Sequence, residues 1–205
     1  MAKRSAPDVN AGSMADIAFL LLIFFLVTTT IETDSGINRK LPPIEDEQTP
    51  PPPLKKKNVF EVIVNRNGEL LVEDQVMELK DLRQAAIDFL DNGSGTGKDA
   101  CNYCQGKKDP ESSDNPVKAT ISLQNDRETS YGAYIAVQNE LVAAYNELRN
   151  REAQRVFGKS FVKMEQDFAD KANYSGNRER LKENIKQIRE MYPMKLSEAE
   201  AEKNN

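Results

Sequence analysis

The sequence predicts an α+β protein: a single N-terminal transmembrane helix, a linker, and a small α/β layer domain with a helical C-terminal extension. Three observations lead there. The strongly apolar residues gather in one run near the N-terminus. A Pro-rich tract then separates that run from the remainder. Beyond it, period-2 and period-3.6 hydrophobic patterns alternate, as in a layered domain.

Residues 1–12 form a short polar tail carrying Lys3 and Arg4, and residues 13–32 the predicted span. Its most hydrophobic stretch, 17–31, holds 15 residues, about 22 Å of helix. A bilayer core needs roughly 30 Å, or about 20 residues. The helix therefore has to take in Ala11, Gly12, Ser13, Met14 and Ala15 upstream, which carries Asp16 into the membrane with it. Lys3 and Arg4 precede the span, whereas Glu32 and Asp34 follow at once, so the positive-inside tendency puts the N-terminus in the cytoplasm. A cleaved signal peptide ending after Val27 is the alternative reading, opposed by Asp8 and Asp16 and by the lack of an A-x-A-like site.

Residues 33–57 are the linker. Glu45, Asp46 and Glu47 lead into Pro50, Pro51, Pro52 and Pro53, a tract that favours extended polyproline II at ~3 Å per residue. A folded domain is predicted over 58–150. Phe60, Val62 and Val64 alternate with polar or outward residues, and Asn67-Gly68 signals a turn into a second strand. Leu79, Leu82, Ala86, Phe89 and Leu90 recur at helical spacing. Residues 91–116 read as a long loop holding both cysteines. Ala119, Ile121 and Leu123 share one face of a further strand. Tyr134, Ile135, Leu141, Val142, Tyr145 and Leu148 make the stripe of a helix ending near Asn150. Residues 151–205 read as polar helices and a frayed tail after Pro193, with no clear final strand.

Composition excludes much. The chain has no histidine, which removes most catalytic triads, the commonest metal ligand and the usual near-neutral proton carrier. Net charge is −5 without a basic patch, so nucleic acid is not an expected partner. Cys101 and Cys104 have half of a zinc site's spacing and nothing to complete it. The plain reading is a local disulfide steadying a loose insertion, with free thiols or a redox role as alternatives. No metal, cofactor or enzymatic activity is expected.

That leaves Asp16. An ionised carboxylate in the bilayer costs several kcal/mol, and such groups usually have a function and a partner. A side chain alternately neutral and charged there could load a proton from one side and release it to the other. The competing reading makes Asp16 a cap at the helix start, and the protein a passive membrane anchor for an interaction domain binding cell wall or a partner.

The segment "SMADIAFLLLIFFLVTT", followed after a spacer by "INRKLPP", resembles the ExbD/TolR family of biopolymer-transport proteins, as does the order of tail, span, linker and small α+β domain over about residues 3–150. The resemblance implies that Asp16 is the family's membrane aspartate, taking up and releasing protons. It implies a linker segment, Ile37, Asn38, Arg39, Lys40, Leu41 and Pro42, able to pair as a strand with a partner or with the domain. It further implies a homodimer in the bacterial inner membrane with its C-terminal domain periplasmic. An ExbB/TolQ-like multi-span ring protein would surround it, and the proton motive force would power a TonB-like or TolA-like protein and outer-membrane transport. The insertion at 91–116 and the extension past 150 depart from the family pattern.

Overall fold

The computed structural model describes residues 11–28 and 55–199. The tail 1–10, the end of the predicted span at 29–32, and the linker residues 33–54 lie outside the described residues, as do 200–205. The linker strand expected at Ile37, Asn38, Arg39, Lys40, Leu41 and Pro42 is among them. The chain divides into two units, residues 1–50 and 51–205.

The first unit contributes helix α1, Ala11–Thr28, of 18 residues, about 27 Å long. Ile17, Phe19, Leu20, Leu21, Leu22, Ile23, Phe24 and Phe25 are all exposed, and together they cover every side of the helix. No described helix is long and apolar enough to cross a membrane. The predicted span continues beyond Thr28, past the described residues.

The second unit is α+β with a mixed five-stranded sheet, ordered β3-β2-β1-β4-β5. Strand β1 (Val59–Val64) buries Phe60, Val62 and Val64 on one face, as its alternation predicts. A turn led by Asn65 follows. Its side-chain oxygen accepts from the amides of Asn67 and Glu69, both at 2.9 Å, and Gly68 takes φ +79°. The expected single second strand is in fact two, β2 (Leu70–Val72) and β3 (Gln75–Met77), antiparallel to each other. Glu73 and Asp74 between them both have positive φ, the conformation of a type I′ turn. Sequence reading passes over it because this turn ordinarily carries Asn-Gly or Asp-Gly.

Helix α2 (Leu79–Leu90) buries Leu82, Ala86, Phe89 and Leu90, the predicted stripe without its first member. Strand β4 (Thr120–Asn125) pairs parallel with β1 and buries Ile121 and Leu123. Helix α3 (Tyr131–Phe157) starts at Ser130, whose hydroxyl accepts from the Ala133 amide, and ends at Gly158 in the left-handed region. It outruns the expected end near Asn150 by two turns. Of its predicted stripe, Leu141, Tyr145 and Leu148 are buried, joined by Val137 and Ala144. Each such side chain contributes about 1.5–3 kcal/mol of burial.

The expectation of a frayed end without a final strand is wrong. Strand β5 (Leu196–Ala199) runs parallel to β4, with Leu196 opposite Ile121. Leu-Ser-Glu-Ala has little strand propensity, and the open edge of β4 supplies the pairing. Between α3 and β5, helices α4 (Phe161–Ala169) and α5 (Arg178–Met191) form a second small core of Phe161, Met164, Leu181, Ile185 and Ile188 against Ala153.

Candidate functional site

On α1, Asp16 is the sixth described helical residue, and the first turn contains no acid. A capping side chain bonds the amides two or three residues onward from a non-helical position. Asp16 already lies inside the helix, so the capping role does not fit it. Its neighbours one turn away are Gly12, Ser13, Phe19 and Leu20, none of which carries a charge. Among the described residues, no hydrogen bond or ion pair of the Asp16 side chain is present, and the side chain is exposed. The helix thus presents one carboxyl within a surface of exposed Ile, Leu and Phe.

The second unit holds the cysteines and a polar cluster that the sequence did not reveal. Cys101 and Cys104 are joined in a disulfide, their Cα atoms 5.6 Å apart. The surrounding insertion is not loose. Asn92 fastens it internally: its amide donates to the carbonyls of Asp109 and Ser113, both at 2.9 Å, and its oxygen accepts from the Asp109 amide. Asn58 anchors its far end, accepting from the Asp114 amide at 2.7 Å and donating to the Asp114 carboxylate at 3.1 Å.

Lys57 sits 2.6 Å from that carboxylate, and chiefly through this bond holds it down to about 2. The depressed value makes this stabilisation present above the ordinary carboxylate range near 4 and lost as pH falls toward 2. Asp114→Asn should therefore lower stability by on the order of 2 kcal/mol at pH 6, with the gap closing near pH 2. Thermal melts of the two proteins across pH 2–7 check this. A gap that stays constant would mean that charge is not what Asp114 contributes.

Asp91, buried at the end of α2, is the hub of the cluster. Arg151 grips it with two hydrogen bonds, Nη1 to Oδ2 at 2.6 Å and Nη2 to Oδ1 at 2.9 Å. The Tyr192 hydroxyl donates to Oδ1 at 2.6 Å, and the Gln105 amide donates to Oδ2 at 3.1 Å. One carboxylate thereby joins α2, α3, the cysteine loop and the end of α5. Tyr192 is fully buried, and burial, reinforced by Asp91, raises its hydroxyl well above the ordinary tyrosine value. Its carbonyl accepts from Arg149 Nε and Nη2, at 2.9 and 2.7 Å. Burial lowers the Arg149 guanidinium to about 10, with Arg189 adding to the effect. Nearby, burial pushes the Tyr145 hydroxyl up to about 12, and that hydroxyl accepts from the Lys195 amide at 3.3 Å. Glu152, fully buried, is bracketed by Arg151 at 3.1 Å and Arg155 at 2.7 Å.

Sequence reading missed Asp91, Arg149, Arg151, Glu152 and Tyr192. The signal it could have used is the run of charges directly after Leu148, on a helix that continues. Arg and Glu are seldom buried unless paired. No group of His, Cys, Asp and Glu among the described residues could hold a metal ion. The cluster's hydrogen bonds are spent on joining elements, and its chemistry is that of a fastening.

A family model described as Biopolymer transport protein ExbD/TolR matches residues 2–151. The match takes in α1, β1–β4 and most of α3, and stops short of α4, α5 and β5. Comparison with curated proteins gives no match.

Proposed function

The chain belongs to the ExbD/TolR family of biopolymer transport proteins, and from that membership we propose that it is the proton-responsive subunit of an inner-membrane motor. In this reading α1, extended past Thr28, crosses the membrane with its N-terminus cytoplasmic, and the unit from residue 51 onward is periplasmic. The observation that carries the reading is the position of Asp16. It lies inside a helix whose other described side chains are apolar, beyond the place where it could cap. Helices apolar on every side are covered by protein or lipid, and a carboxyl among such residues needs a partner.

That partner has to come from outside α1. A multi-span ring protein of the ExbB/TolQ type and a second copy of this chain fit the need. The proton motive force then powers a TonB-like protein and, through it, outer-membrane transport. Family members are transport proteins, and nothing in the polar cluster calls for catalysis.

Gentle detergent extraction at native expression, with an affinity tag after Asn205, should recover the chain as at least a dimer together with a multi-span protein. A stable monomer recovered alone would count against the motor.

A further inference from the structure

The disulfide is poorly placed for a staple. It spans only three positions in sequence, so the loop it closes is short and the entropic gain small. Its two sulfurs also have different surroundings. Cys101 lines an open cleft of about 310 Å3, alongside Lys98, Asn115 and Lys118, the last of them bonded to the Asp99 carboxylate at the same cleft. Cys104 is set against Gly93, where even a single added Cβ would come within 2.7 Å of the Cys104 Cβ.

The backbone N–H of Cys104 donates to Cys101 Sγ at 3.1 Å. A donor aimed at sulfur and a nearby cation both favour a thiolate, and here the Cys104 N–H and Lys98 fall on the Cys101 side. The residues between and after the cysteines are tied to the fastening around Tyr192. Tyr103 packs edge-on against the Tyr192 ring at 5.5 Å and donates its hydroxyl to the Met191 carbonyl at 2.7 Å. Gln105 and Gly106 donate their amides to Asp91, to its carboxylate at 3.1 Å and its carbonyl at 3.0 Å.

We propose that Cys101–Cys104 is a thiol–disulfide exchange site for a dithiol reductant, with Cys101 as the sulfur attacked and the seating of Tyr192 as the readout. The incoming thiolate bonds to Cys101 Sγ, the Cys101–Cys104 bond breaks, and Cys104 leaves as a thiolate that takes a proton. The reductant's second thiolate then attacks its own sulfur in the mixed disulfide and expels Cys101. The Cys104 N–H and Lys98 steady the Cys101 thiolate as it departs. The protein gains two electrons and two protons, and the reductant becomes a disulfide. Once parted, the cysteines no longer fix the turn carrying Tyr103, Gln105 and Gly106. The contacts of that turn with Met191, Tyr192 and Asp91 loosen, and with them the approach to β5.

The test uses the full chain in detergent. Dithiothreitol should reduce the bond without denaturant, read as two maleimide-blocked thiols by mass. Hydrogen exchange should then quicken across residues 191–199 while β1 is unchanged. Two single variants separate the sulfurs: Cys104→Ser, which keeps Cys101, should react with an aromatic disulfide about tenfold faster than Cys101→Ser. Lys98→Gln placed in Cys104→Ser should slow that reaction. A bond that resists dithiothreitol until the protein is unfolded would overturn the proposal. So would equal rates in the two single variants, or unchanged exchange at 191–199 after reduction.

Discussion

In cells carrying Asp16→Asn, energy-dependent transport is expected to fall to background while expression, membrane insertion and partner assembly stay near wild type. The carboxamide matches the carboxyl in size and retains hydrogen-bonding atoms, so packing has little reason to change. It cannot titrate, and titration is the property the proposed motor requires. One proton crossing a potential of 100 mV releases ~2.3 kcal/mol, so several together can drive a mechanical step at a distant partner. Asp16 is the only ionisable side chain between Asp8 and Glu32, and no second acid in that stretch could stand in for it. Asp16→Glu should keep a fraction of activity, because it titrates with its carboxyl displaced by one methylene. Uptake measured in cells, with copurification as the assembly control, checks all three forms. Full transport in Asp16→Asn would leave the passive anchor as the better account.

Asp91→Ala should destabilise the second unit by about 3 kcal/mol, since it removes the buried carboxylate that Arg151 and the Tyr192 hydroxyl both bond. Tyr192→Phe keeps the ring in the core and removes the hydroxyl's hydrogen bonds to Asp91 and Arg151, a loss of about 1.5–3 kcal/mol for each. The two effects should be less than additive, because both delete the same contact. Urea unfolding of the full chain in detergent, followed by circular dichroism, measures each variant and the double mutant. Single variants indistinguishable from wild type would show that the cluster does not fasten the extension.

These predictions mark where the sequence was and was not legible. Periodicity carried β1, α2, β4 and the first five turns of α3, because each buries one face against a common core. The Glu73-Asp74 turn escaped notice because its residues are not the ones its geometry usually selects. Strand β5 was hidden for another reason. Its pairing is imposed by the free edge of β4, and α4 and α5 separate it from the helix that precedes a closing strand. The buried cluster was the hardest to see. Asp91 lies in a Gly- and Ser-rich stretch, and Arg149 and Arg151 on a polar-looking helix end, so nothing local signals that Tyr192 brings them together. Asp16 stood out because its surroundings are uniformly apolar, and the same uniformity makes it chemically conspicuous in the structure.

The central claim is that Asp16 gains and loses a proton under working conditions. Infrared titration of the assembled complex in membranes tests it most directly, by following the carbonyl stretch of protonated carboxyl groups as pH is varied. The account predicts a pH-dependent band in wild type that is missing from Asp16→Asn and shifted in Asp16→Glu. Titrations of wild type and Asp16→Asn that superimpose would contradict it.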